Sequence, residues 1–221
     1  MVFQDQSIED AQLSGFPLVP PGKMTEDEFV AWCDEDTRAE WVEGEVVMMS
    51  PANTEHARLA GWLYRLLGDL AERNGLGEVF FEHQVRFAAQ ARRRVPDLVF
   101  VSKDRLDLLH SAHIEGAPDL IVEIVSPDSE ARDWREKYLE YEAAGVREYW
   151  VIDPMSRHVE VYAPGESRPE PQQPARREYR RQPEKDGVIA STVFPSFHLR
   201  TAWLWPETRP TVETALHELR G

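Results

Sequence analysis

A chain of 221 residues, 42% of them hydrophobic, is long enough for one generous domain with a real core, or one domain plus an arm. No apolar run approaches the ~20 residues that span a bilayer. The N-terminus lacks the basic-then-apolar pattern of a secretory signal, and the single Cys33 excludes a disulfide framework or a multi-cysteine zinc site. A cytoplasmic protein is expected. The net charge of −15 would argue against nucleic acid as a partner, yet residues 1–50 hold 12 acidic and 2 basic residues, so most of the excess lies at one end.

Residues 1–24 read as an acidic, loosely ordered arm, punctuated by "PLVPPG" (17–22). Thr25 is placed to cap a short helix, with Glu28 completing a capping box. "AEWVEGEVVMMSP" (39–51) reads as two short strands turning at Glu43-Gly44. A helix over 54–73 follows, with Leu59, Trp62, Leu63, Leu66, Leu67 and Leu70 at spacings of three and four; Asn53 or Thr54 caps it and Gly75 ends it.

Residues 78–89 alternate like one strand. "VPDLVFVS" (95–102) and "APDLIVEIVSP" (117–127) are apolar strands. A second helix spans about 129–144, capped by Asp128 or Ser129 and stopped by Gly145. Strands at 146–154 and 158–165 come next, then a proline-rich loop over 164–174, small strands near 188–190 and 197–203, and a tail over 206–221. The order from residue 54 is helix, three strands, helix, strand. That order fits an α/β domain with a central mixed sheet flanked by helices, and no glycine-rich phosphate loop is present.

Glu123 is the unusual residue. It lies within Ile121, Val122, Ile124 and Val125, where an uncompensated carboxylate is costly. Asp97 stands at the start of the neighbouring strand. Two converging acids raise each other's pKa unless a divalent ion resolves the conflict, and hard oxygen ligands suit Mg²⁺ or Mn²⁺. Asp97 alone would read as a turn residue.

Lys137 shares a helix face with Trp134, Tyr138 and Tyr141, so its amine either turns inward or snorkels to water. His56 faces the sheet from the start of the first helix, as a cap, a core histidine or a site residue. Glu45 is either a third acid or solvent-facing, and His110 and His113 read as loop residues. The basic runs "ARRR" (91–94) and "ARREYRR" (175–181) are either a solvated surface or phosphate contacts; Arg92, Arg93 and Arg94 are the candidates.

Asp on one strand, Glu on the next and a nearby Lys resemble the PD-(D/E)xK nuclease superfamily. "AEWVEGEVVMMSP", His56, "VPDLVFVS", "GAPDLIVEIVSP", "RDWREKYLEYEAAGVREYWVIDP" and "HVEVY" together resemble the Uma family of restriction-endonuclease-like proteins, over roughly residues 25–205. The superfamily's usual lysine is missing, since Val125 stands two residues after Glu123. In the Uma family the lysine lies on the following helix, where Lys137 matches it.

The resemblance implies a restriction-endonuclease-like core and hydrolysis of DNA phosphodiester bonds. It implies Mg²⁺ or Mn²⁺ held by Asp97, Glu123 and the backbone carbonyl of Ile124, with Lys137 orienting water or stabilising charge, and His56 and Glu45 near the site. Two other readings stand beside it. One is a catalytically inactive binding or structural module, in which Glu123 pairs with a buried arginine. The other is a glycosidase using the same acids, which the lack of an aromatic sugar cleft disfavours. The oligomeric state stays open; restriction-like folds often pair about a two-fold axis, so a homodimer is one assembly to expect.

Overall fold

The computed structural model describes residues 22–34, 36–126, 133–165, 178–195 and 197–220, with only the backbone described at 133 and 134. Most of the acidic arm and of the proline-rich loop, the expected cap at Asp128 or Ser129, and the Trp134 side chain lie outside the described residues.

Thr25 caps helix α1 (Glu26–Trp32), and the Glu28 carboxylate returns the bond to the Thr25 backbone. Strands β1 (Ala39–Val42) and β2 (Glu45–Met48) form the expected hairpin, turning through Glu43 and Gly44 at φ 51° and 95°. Two successive left-handed residues match the twist of a two-residue hairpin. Helix α2 runs Thr54–Asn74, with the Asn53 side chain accepting from the His56 N–H and Gly75 left-handed at its end.

The residues expected as one strand over 78–89 divide into β3 (Gly77–Phe81) and β4 (Val85–Phe87). Glu82 between them has φ 45°. That conformation breaks the extended run, and the two halves join different sheets. Strands β5 (Arg92–Arg94), β6 (Leu98–Ser102), β7 (Ile114–Glu115) and β8 (Leu120–Ile124) follow. A π-helical turn, Asp133–Lys137, then opens into helix α3 (Tyr138–Ala144). Strands β9 (Glu148–Asp153), β10 (His158–Gly165) and β11 (Glu178–Arg181) complete the larger sheet.

Among the described residues that sheet has six strands in the order β11-β10-β9-β8-β6-β3, parallel at β8–β9 and antiparallel elsewhere. Alternation along β6 and β8 sends Leu98, Phe100, Leu120, Val122 and Ile124 to one face, against α2. Val99, Val101 and Ile121 go to the other, against Tyr141 of α3 and Tyr149 of β9.

A second sheet, in the order β2-β1-β5-β4-β7, was not expected from the sequence. Its inner strand β5 is the basic run itself. Toward the C-terminus, β12 (Val188–Ala190) pairs with β13 (His198–Arg200). Residues expected as a tail contain helix α4 (Val212–Glu218), whose Val212, Ala215 and Leu216 join the core beside α2. The signal is short but present: Thr211 caps the helix, and Val212, Ala215, Leu216 and Leu219 fall at spacings of three and four.

Candidate active site

The site forms where the two sheets meet at the N-terminal end of α2. In the β6–β8 ladder Leu98 pairs with Val122, so one step further places Asp97 opposite Glu123. Both are buried and line one cavity of about 400 Å³ together with His56, Ile124 and Lys137.

Each acid is held by specific donors. The Ile124 N–H donates to Asp97 Oδ2 at 2.6 Å, and His56 Nε2 lies 2.7 Å from Asp97 Oδ1. Asp97 sits one residue before its strand, at the sheet's end, so α2 on the far face can reach it. With Nε2–H donating, His56 Nδ1 carries a lone pair; it is buried and no described group bonds to it. Glu123 Oε1 accepts from the Tyr141 hydroxyl at 2.7 Å, and Lys137 Nζ lies 2.9 Å from Glu123 Oε2. Burial, and then the Glu123 charge, push the Tyr141 phenol well above its ordinary pKa. Tyr141 therefore remains a donor across the working pH range.

Lys137 Nζ also lies 3.8 Å from Glu40 Oε1. The amine thus turns inward between two carboxylates. Glu40, on β1, accepts from the Val95 N–H at 3.0 Å and from Arg94 Nη1 at 2.7 Å. Burial raises its pKa, but Lys137, Arg94 and the Val95 N–H outweigh burial and hold it below the ordinary value. Arg94 is only 1% exposed and forks onto Glu140 of α3 at 2.9 and 2.6 Å. A chain of buried charges, Glu123–Lys137–Glu40–Arg94–Glu140, therefore ties β8, β1, β5 and α3 together.

Two groups of expected residues fall elsewhere. Glu45 stands on β2, the edge strand of the second sheet, and is exposed, 3.7 Å from Lys23. Glu40, two positions into β1, is the third acid of the cavity. Both lie in one short hairpin, and only the sheet order tells the inner strand from the edge. Arg92, Arg93 and Arg94 do not form a basic surface. Arg93 is buried against Glu26, Arg92 bridges Glu43 and Glu140, and Arg94 belongs to the buried chain.

Other buried acids have structural work of their own. Asp119 takes the Ser102 N–H, Arg105 and Arg147, and Glu148 takes Trp150, Ser191 and Thr192. The cavity lining carries the carboxylates of Glu40, Glu82, Asp97 and Glu123. Against them stand the cations Arg38, Arg94 and Lys137, so the lining is net −1 with His56 neutral.

Fold and site define a mixed α/β domain of the restriction-endonuclease-like kind. The structure superposes with a TM-score of 0.65 on the crystal structure of a protein described as "a putative nuclease belonging to DUF820" from Anabaena variabilis. The two share 22% identity over 82% of this chain and 97% of that one, a likeness of fold. The Uma2 family model, described as "Putative restriction endonuclease", matches residues 26–202, and the chain belongs to that family. None of the curated proteins compared with it matches. Among the described residues, no helix is long and apolar enough to cross a membrane.

Proposed function

We propose that the protein is a metal-dependent endonuclease that hydrolyses DNA phosphodiester bonds. The observation that carries this reading is the placing of Asp97 opposite Glu123, with Lys137 Nζ 2.9 Å from Glu123. The donor set fits Mg²⁺ or Mn²⁺: hard carboxylate oxygens in a polar cavity, few enough to leave the ion most of its waters. Asp97 and Glu123 would hold the ion, with the Ile124 carbonyl as the expected third donor. A dication also changes the lining from −1 to +1, as a cavity receiving a phosphodiester requires. Bound there, the ion supplies Lewis-acid activation of water and neutralises phosphate charge.

The chain's own groups do the rest. Lys137, lying between Glu123 and Glu40, presents an N–H to the charge that develops on phosphate oxygen. Tyr141 fixes the Glu123 carboxylate. The His56 ring, through Nε2, holds the Asp97 carboxylate in place.

One observation favours a second reading, a binding module without catalysis. Both acids already have protein partners, and among the described residues no three His, Cys, Asp or Glu side chains make a ready metal cage. Mn²⁺ titration by calorimetry, with plasmid nicking at low salt, separates the two. The nuclease reading expects binding and nicking in wild type and loss of both in Glu123→Gln. Binding without nicking of any DNA leaves the module; no binding by wild type removes the nuclease.

A further inference from the structure

We propose that Arg38 receives the substrate's phosphate backbone at the mouth of the cavity, and that Glu82 holds its guanidinium until the backbone displaces it. This rests on the nuclease reading and names how that site engages its polyanion.

The argument begins with which cations can move. Lys137 and Arg94 line the cavity, but their side chains are 8% and 1% exposed and each contacts two buried carboxylates. Withdrawing either strands charges in the interior. Arg38 is different. It lines the same cavity, its side chain is 56% exposed, and it is paired to Glu82. The Arg38 end is in solvent while the Glu82 side chain is 22% exposed, and a pair open to water on one side is weak, so exchanging Glu82 for a phosphodiester costs little. The guanidinium fork also matches two phosphate oxygens.

The backbone fixes this pair beside the acids. The Glu82 N–H donates to the Asp97 carbonyl at 3.0 Å, and the Met49 N–H donates to the Arg38 carbonyl at 2.9 Å. Arg38 lies two residues before Glu40, in extended chain leading into β1, so the two side chains share a face. Arg38 and Glu82 also border a second hollow on the side of His83 and His110, so the pair stands where the cavity opens outward. A carboxylate there repels an incoming phosphate as well as occupying the arginine.

The test uses the full chain and initial rates of plasmid nicking in Mg²⁺, across DNA and salt concentrations. Arg38→Ala is expected to raise KM about tenfold with kcat within about twofold, and to reduce the salt slope of kcat/KM by about one. Arg38→Lys, which keeps the charge without the fork, falls between. Glu82→Gln is expected to lower KM about threefold, and that gain is expected to vanish in the Arg38→Ala background. An active wild type whose KM ignores Arg38→Ala overturns the assignment and leaves the nuclease reading standing. A Glu82→Gln gain that persists without Arg38 overturns the pairing. A wild type that neither binds nor nicks DNA removes the nuclease reading and this inference together. Melting curves of each variant, needed most for the partly buried Glu82, guard against misfolding.

Discussion

Arg94 donates to Glu40 at 2.7 Å while forking onto Glu140, and all three side chains are buried. One guanidinium thus compensates two interior carboxylates contributed by different layers. Arg94→Met removes the buried guanidinium the two carboxylates share, leaving Glu40 to Lys137 and the Val95 N–H and Glu140 to Arg92, and is expected to destabilise the fold by about 3 kcal/mol. Arg38→Ala, at the solvent end of its pair, is expected to stay within about 0.5 kcal/mol. Urea unfolding of the two variants makes the comparison.

Lys137 pairs with Glu123 at 2.9 Å and shares Glu40 with Arg94. Lys137→Met is expected to lower nicking by about 10²–10³-fold and to lower the melting temperature in the absence of divalent ions. Under the nuclease reading, Mn²⁺ then takes over part of the missing positive charge. It should therefore raise the melting temperature of the variant by more than that of wild type, as calorimetric scans with and without Mn²⁺ would show.

The Tyr141 hydroxyl is the donor to Glu123 Oε1. Tyr141→Phe removes it without changing the packing volume much. The expected cost is about 1 kcal/mol, because the buried Glu123 carboxylate loses one hydrogen-bond donor. Lys137 remains in place, so nicking should fall by less than in Lys137→Met. Paired unfolding and nicking assays on the two variants test that order.

Glu26 supplies a pH signature remote from the cavity. Hydrogen bonds from Arg86, opposed by burial and aided by Arg93, lower its pKa from 4.5 to about 2. A depressed carboxylate stabilises the fold fully above its unfolded value. That contribution is lost as pH falls from about 4.5 toward 2. Glu26→Gln is therefore expected to be less stable than wild type at neutral pH, with the gap narrowing through that window. Urea midpoints at stepped pH values measure it.

Much of the fold was legible because its signals are local. The Thr25 capping box, the Glu43-Gly44 turn, the α2 periodicity with Gly75 and the β6 and β8 runs all appear where the sequence predicts them. Asp97, Glu123, Lys137 and His56 were singled out from burial pattern and resemblance, and the structure brings them to one cavity. What escaped was set by sheet order. Glu40 differs from Glu45 only in lying on an inner strand. Arg93 and Arg94 look like surface until β5 is seen to run between β1 and β4. The break at Glu82 was hidden by side-chain alternation that continues across it.

Helix α4 lies beyond the stretch matched by the family, residues 26–202. It nevertheless supplies Val212, Ala215 and Leu216 to the core, and the Pro210 carbonyl takes the Trp62 indole N–H. Trimming the protein to the matched stretch would strip the cover from the helix that aims His56. The shortest piece worth expressing for biochemistry therefore reaches at least to Leu219.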